Sequence, residues 1–280
     1  METKMDYMGP LKNILLATDG SEYSEGAAKE AIYLAKSCIA KLSVIYVLEV
    51  NPELETEGQK VVEKMESEAR AHMDAIRKRA AQDNVECEVV VRRTDEPYKA
   101  IVEEAEKRGI DAIIMGRRGK TGLKKILMGS VTAKVIGYAP CKVLVVPKDA
   151  AIRCENLMLA TDGSKYSKAA ELEAINMSKR CSQTKKLIVL SVARANERLE
   201  QAKANVEKVR QDAEQEGIKV ETLTPVGRPF EVTVKTAKER DVDIIIIGEY
   251  GRTGIEELLM GSVAERVIAL SPCAVLVVKV

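Results

Sequence analysis

The sequence predicts two tandem α/β domains, each a doubly wound parallel sheet of five strands flanked by helices. Three observations predict it. LATDGS at 16–21 recurs letter for letter at 159–164, and Tyr23 and Ser24 recur as Tyr166 and Ser167. Apolar runs alternate with amphipathic stretches in both copies. The runs are continuous rather than alternating, as in strands covered on both faces. An internal repeat of this kind outranks other local signals. A chain of 280 residues is long enough for two ordinary cores.

The first copy supplies five strand candidates rich in Val and Ile: NILLAT, LSVIYVL, CEVVV, DAIIMG and KVLVVP. Between them lie amphipathic stretches at 22–38, 59–82, 97–108 and 130–138. The second copy repeats the plan with NLMLAT, KLIVLSV, KVETLT, VDIIIIG and AVLVV. Strand–helix alternation with right-handed crossovers gives a parallel sheet, for which the order 3-2-1-4-5 is expected. The offset between copies falls from 143 to 132 residues across NPELETEGQK, an acidic stretch that reads as a loop. The boundary lies near PKDAAIRCE, so the domains are 1–149 and 150–280. The terminal strands, near 141–146 and 273–278, are strongly apolar and would otherwise be exposed edges. They predict an intramolecular domain pair, a pseudo-dimer, with a homodimer as a further assembly.

Composition excludes several classes. Hydrophobic residues make up 46% and charged residues 31%, as in a soluble globular protein. The net charge of +1 gives no global field for nucleic acid or an anionic membrane. Aromatics are 3% and Trp is absent, so a base-stacking platform is not expected. METKMDYMGPLKN lacks an apolar signal core and no run could span a bilayer, so a cytoplasmic protein is expected. Cys38, Cys87, Cys141, Cys154, Cys181 and Cys273 form no CxxC pair and read as buried reduced thiols. The single His, His72, has no Cys beside it, which argues against zinc.

Ligands of such sheets bind beyond the strand C-terminal ends, where strand order reverses. Strand one ends at Thr18-Asp19-Gly20 and strand four at Met115-Gly116, so these turns flank one crevice. Strand four continues into MGRRGKTGLKKILMGS at 115–130; IGEYGRTGIEELLMGS at 247–262 repeats its spacing. Gly116 would let backbone approach a ligand, and Gly119 would permit a turn that Cβ obstructs. Gly129 and Ser130 precede the helical stretch VTAKVIGY, whose free N–H groups and dipole would attract phosphate. Ordinary turn and cap chemistry is the alternative reading. GKT at 119–121 is not a P-loop, because Ile114 stands where the motif needs Gly. Asp19 reads equally as a helix cap or as an acceptor for ribose hydroxyls.

G-x2-G-x9-G-[ST] after strand four, TDGS after strand one and the closing PCKVLVV together resemble the universal stress protein family, over nearly the whole chain as two copies. MGRRGKTGLKKILMGSVTAKV resembles its ATP-binding branch. The resemblance implies that Gly116, Gly119, Gly129 and Ser130 contact phosphates and ribose, with Val131 and Thr132 continuing at the helix start. It places Asp19 by ribose and adenine, and backbone near Val47 on the base. The matching second-copy positions are Asp162, Val192, Gly248, Gly251, Gly261, Ser262 and Val263. Two departures stand out: Ala264 replaces Thr132, and Asp95 stands where the second copy has Gly227.

The resemblance implies an ATP- or AMP-binding stress-response protein with little turnover, in which Mg²⁺ or Mn²⁺ would accompany the phosphates although no carboxylate cluster specifies a metal site. The alternatives are a slow ATPase and a scaffold that binds no nucleotide. Adenylyl transfer through an HxGH signature is not expected, because the one His is placed far from both glycine loops. Between Gly116 and Ser130 the charges of Arg117, Arg118, Lys120, Lys124 and Lys125 sum to +5. Between Gly248 and Ser262, Glu249, Arg252, Glu256 and Glu257 sum to −2. Stronger ATP binding is therefore expected in domain one.

Overall fold

The computed structural model describes residues 11–50, 59–119, 128–181, 183–251 and 260–280. The chain divides into two compact units, Leu11–Asp149 and Ala150–Val280.

Domain one runs β1 (Asn13–Thr18), α1 (Glu22–Cys38), β2 (Lys41–Glu49), α2 (Gln59–Gln82), β3 (Cys87–Thr94), α3 (Pro97–Arg108), β4 (Ala112–Gly116), α4 (Ser130–Tyr138) and β5 (Lys142–Val146). Its strands lie in the order β3-β2-β1-β4-β5, all parallel. Domain two runs β6 (Asn156–Ala160), α5 (Lys165–Arg180), β7 (Lys186–Leu190), a 3-10 turn (Asn196–Arg198), α6 (Leu199–Gln215), β8 (Val220–Leu223), α7 (Pro229–Glu239), β9 (Ile244–Gly248), α8 (Ser262–Leu270) and β10 (Ala274–Val278). Its order, β8-β7-β6-β9-β10, is the same arrangement. The expected fold class and strand order are what the structure shows.

Burial explains the sequence pattern. The central strands are covered on both faces: β4 and β9 are buried throughout. Edge strands β3 and β8 are only half-buried, and their sequences carry charges. Ile14, Leu15, Leu16, Ile113 and Ile114 form the centre of the first core, at 0–1% exposure. Truncating one such residue to Ala is worth about 2–5 kcal/mol.

The start of each first strand is held from far along the chain. Asp111, before β4, accepts N–H bonds from Lys12 (2.7 Å) and Asn13 (2.8 Å). Asp243, 2% exposed, accepts from Glu155 (2.8 Å) and Asn156 (2.9 Å) and pairs with Arg153. A carboxylate that satisfies two backbone donors fixes the register of β1 on β4, and of β6 on β9. The crevices therefore open at the opposite, C-terminal ends of these strands.

Candidate nucleotide-binding crevices

In domain one, β1 delivers Asp19 beside the turn that leaves β4. Its Oδ1 accepts from the Ser21 N–H (3.0 Å) and hydroxyl (2.7 Å). Its Oδ2 faces Gly119, where a Cβ would lie 2.7 Å away. Domain two repeats this: Asp162 Oδ1 accepts from the Ser164 N–H (3.0 Å), and Oδ2 faces Gly251. The carboxylate thus shapes the turn rather than capping the helix; the N-cap positions are Ser21 and Ser164. A Cβ at 119 or 251 would press on the carboxylate and make it shift.

Packing alone also accounts for the glycines that end β4 and β9. A Cβ at Gly116 would lie 2.7 Å from the carbonyl oxygen of Tyr23, and one at Gly248 would lie 2.6 Å from that of Tyr166. The first turns of α1 and α5 take that space. Gly129 and Gly261 differ. They are the N-caps of α4 and α8, in extended conformation, and a Cβ there would meet nothing closer than 3.3 Å. The Gly129 N–H bonds the Arg117 carbonyl (2.9 Å) and the Gly261 N–H bonds that of Glu249 (2.8 Å), closing the loop on itself. Ser130 and Ser262 follow, exposed, at helix starts whose first N–H groups have no intrahelical acceptor.

The Thr132 side chain has a partner within the fold. It is buried, and its hydroxyl donates to the Gly116 carbonyl (3.1 Å), latching α4 to the end of β4. The hydroxyl is turned inward, onto the end of β4. Ala264, which lines the domain-two cavity, has no hydroxyl with which to make this latch.

His72 is likewise not remote from the crevice. α2 leans over the end of β1, and His72 Nε2 lies 3.2 Å from Thr18 Oγ1. Thr18 also bonds Ser24 (3.0 Å) and accepts from the Gly20 N–H (3.2 Å). The imidazole meets the Tyr46 ring edge-on, centroids 6.2 Å apart, and both rings stand against Gly20. In domain two the structurally matching residues are polar: Asn205 donates to Ser191 (3.3 Å) and accepts from Gln201 (3.1 Å). Thr161, the match of Thr18, bonds Ser167 (3.0 Å) and the buried Glu171 (2.6 Å).

These substitutions border a cavity of about 450 Å³ in domain two. Asp162, Val192, Gly248, Gly251, Gly261, Ser262 and Val263 all line it. They come from four separate stretches of sequence, and the topology brings them together. Sequence reasoning missed Arg194, Arg198, Gln201 and Asn205, which line it from the loop after β7 and from α6. No local motif marks them; only the lean of α6 over the strand ends places them there. In domain one the structure places Asp19, Met115, Gly116, Gly119, Gly129, Ser130, Val131 and Thr132 at the ends of β1 and β4 and the start of α4, with Val47 on β2.

The loop charges need correction. Lys120, Lys124, Lys125, Arg252, Glu256 and Glu257 lie outside the described residues. Glu249 is buried and pairs with Lys279 at 3.1 Å, so its charge is compensated. Arg194 and Arg198 make no ion pair among the described residues and bring positive charge to the domain-two cavity. Burial, aided by Arg118, holds the Arg117 guanidinium below its ordinary range. Arg118 Nε is buried without a hydrogen-bond partner among the described residues. Gly227, at φ +158°, bonds back to Ala193 through its N–H (2.8 Å) and lies outside the lining; Asp95 leads into α3 at the matching place.

No helix among the described residues is long and apolar enough to cross a membrane. The model of the universal stress protein family matches residues 10–147 and again 154–279. Universal stress protein MJ0531 of Methanocaldococcus jannaschii is 41% identical over 141 residues, 49% of this chain and 82% of that protein. Universal stress protein Slr1230 of Synechocystis is 24% identical over 95% of this chain and 99% of its own length. A universal stress protein from Archaeoglobus fulgidus shares the fold over 95% of this chain and 98% of its own, with a TM-score of 0.78 at 23% identity. With one family match on each of two like-ordered units, the chain belongs to the universal stress protein family, as a tandem member.

Proposed function

We propose that both crevices bind an adenine nucleotide and that the chain acts as a cytoplasmic binding protein with little turnover. One observation carries this reading: the seven second-copy positions singled out from the sequence converge on one cavity of about 450 Å³. That volume lies within the range of small-molecule pockets, about 300–1,000 Å³. One wall carries the start of α8, where a helix dipole and open N–H groups suit phosphate. Asp162 also lines the cavity, a fit for ribose hydroxyls. Gly261, Ser262 and Val263 would hold the phosphates, and backbone at Val192 the base. Among the described residues no cluster of metal-ligating side chains occurs, so Mg²⁺ or Mn²⁺ would arrive on the nucleotide's own phosphates.

The finer proposal is that domain one takes ATP more tightly, through Arg117 and Arg118 beside its phosphate loop. Arg194 and Arg198 oppose this ranking in domain two. Titrating ATP and AMP calorimetrically into Gly129→Trp and Gly261→Trp variants separates the sites. Loss of one binding event in each variant supports the reading; unchanged binding in both defeats it. A tighter site surviving in Gly129→Trp reverses the ranking alone. The contact of His72 with Thr18 favours slow hydrolysis in domain one as a second reading, and steady-state phosphate release measures it.

A further inference from the structure

Domain two contains a pair of cysteines brought together from the two ends of a strand–helix unit. Cys154 precedes β6 and is buried; Cys181 ends α5 and is half-buried. The turn after α5 folds back over residue 154. The Thr184 N–H bonds the Cys181 carbonyl (3.0 Å), and the Thr184 hydroxyl donates to the Cys154 carbonyl (3.0 Å). The Lys185 N–H then bonds the Glu155 carbonyl (2.8 Å). Through Thr184 this clamp ties residues 154 and 181 to one turn, where Cys154 acts on the neighbouring Cys181 thiol. Cys154 adopts a left-handed backbone, φ +56°, that a non-glycine residue seldom holds. Domain one has no such pair: Cys38 ends α1 at the matching place, but Leu11 stands where Cys154 would be.

We infer that Cys154 and Cys181 form a thiol–disulfide site that closes when a hydroperoxide reaches Cys181. The Cys181 thiolate attacks the peroxide's terminal oxygen, breaking the O–O bond; a sulfenic acid forms, and the alkoxide or hydroxide leaves and takes up a proton. Cys154 sulfur then attacks the sulfenic sulfur, its proton going to the departing hydroxyl. Two thiols and one hydroperoxide give one disulfide, one alcohol (or water) and one water. The hydrogen bond from Cys154, opposed by burial and helped by Arg180, lowers the Cys181 thiol to about 7, so a large thiolate fraction is present at neutral pH. Burial instead pushes Cys87 and Cys273 up to about 11, which leaves them poor nucleophiles.

The test treats the full chain with hydrogen peroxide at neutral pH and maps peptides without reduction. A linked Cys154–Cys181 peptide lighter by two hydrogens, reversed by dithiothreitol, is expected. In Cys154→Ala, Cys181 should stop at the sulfenic acid and be trapped by dimedone. Wild-type protein supplies a measure that needs no variant: iodoacetamide should label Cys181 roughly tenfold faster than Cys38. Labelling of Cys181 no faster than Cys38, or a linked pair that excludes either cysteine, overturns the inference.

Discussion

His72 Nε2 and Thr18 Oγ1 lie 3.2 Å apart at the mouth of the domain-one crevice. Domain two places Asn205 at the equivalent position, bonded to Ser191 instead. The two copies thus keep one backbone frame and differ in what covers the end of the first strand.

His72→Ala should remove this bond and the edge contact with Tyr46. A stability loss of about 1 kcal/mol is expected, together with altered ATP affinity in domain one only. Calorimetric titration in the Gly261→Trp background isolates that site. Unchanged affinity there would place His72 outside the ligand's reach.

Gly116→Ala and Gly129→Ala should behave differently although they flank one loop. The first drives a Cβ against the Tyr23 carbonyl and is expected to destabilise domain one by about 1–3 kcal/mol. The second meets only ordinary contacts and should change stability by about 1 kcal/mol or less. Urea titration of both variants checks the contrast. Equal losses would mean that the packing account of Gly116 is wrong.

Thr132→Ala should loosen α4 from β4 by about 0.5–1.5 kcal/mol. Ala264→Thr offers the reciprocal change, supplying domain two with a hydroxyl at the position that bonds the Gly116 carbonyl in domain one. Paired melts of the two variants, with and without ATP, show whether the latch acts on fold alone or on binding too. A Thr132→Ala melt that matches wild type removes the latch from the account.

Glu171 predicts a pH dependence specific to domain two. Burial pushes its carboxyl above the ordinary glutamate value, against the pull of Thr161 and Lys168. The folded state therefore holds the proton more tightly than the unfolded state. Its contribution is complete below the ordinary value and fades as pH rises through the raised one. Glu171→Gln stays neutral, so its stability relative to wild type should climb as pH rises from the ordinary glutamate value through the raised one. A flat difference across that range refutes the assignment. Domain one has Ala28 at the matching position and should show no such trend.

Much of the fold was legible because burial writes itself into local pattern. Continuous Val–Ile runs marked the strands that both helical layers cover, and amphipathic period marked α1 to α4. The glycine spacing located the crevice because each Gly answers a local demand: a helix carbonyl at 116, a carboxylate at 119, a cap at 129. What escaped was tertiary. His72 sits in an unremarkable helical stretch, and only the lean of α2 over β1 brings it to Thr18. Arg194, Arg198 and Asn205 were invisible for the same reason. Charge counting along the loop failed at Glu249, because its partner Lys279 lies beyond the last strand.

The carboxylate of Asp111 reaches back 99 residues to the Lys12 N–H, and β1 takes its place between β2 and β4 only once β4 exists. During synthesis that interval has a duration. At about 5–20 residues per second, the ribosome needs roughly 5–20 s to deliver Asp111 after Lys12. Through that time β1 carries one open edge, and a slightly shorter delay, 88 residues from Glu155 to Asp243, recurs for β6. The central position that buries β1 in the finished sheet thus makes it a waiting strand in the emerging one.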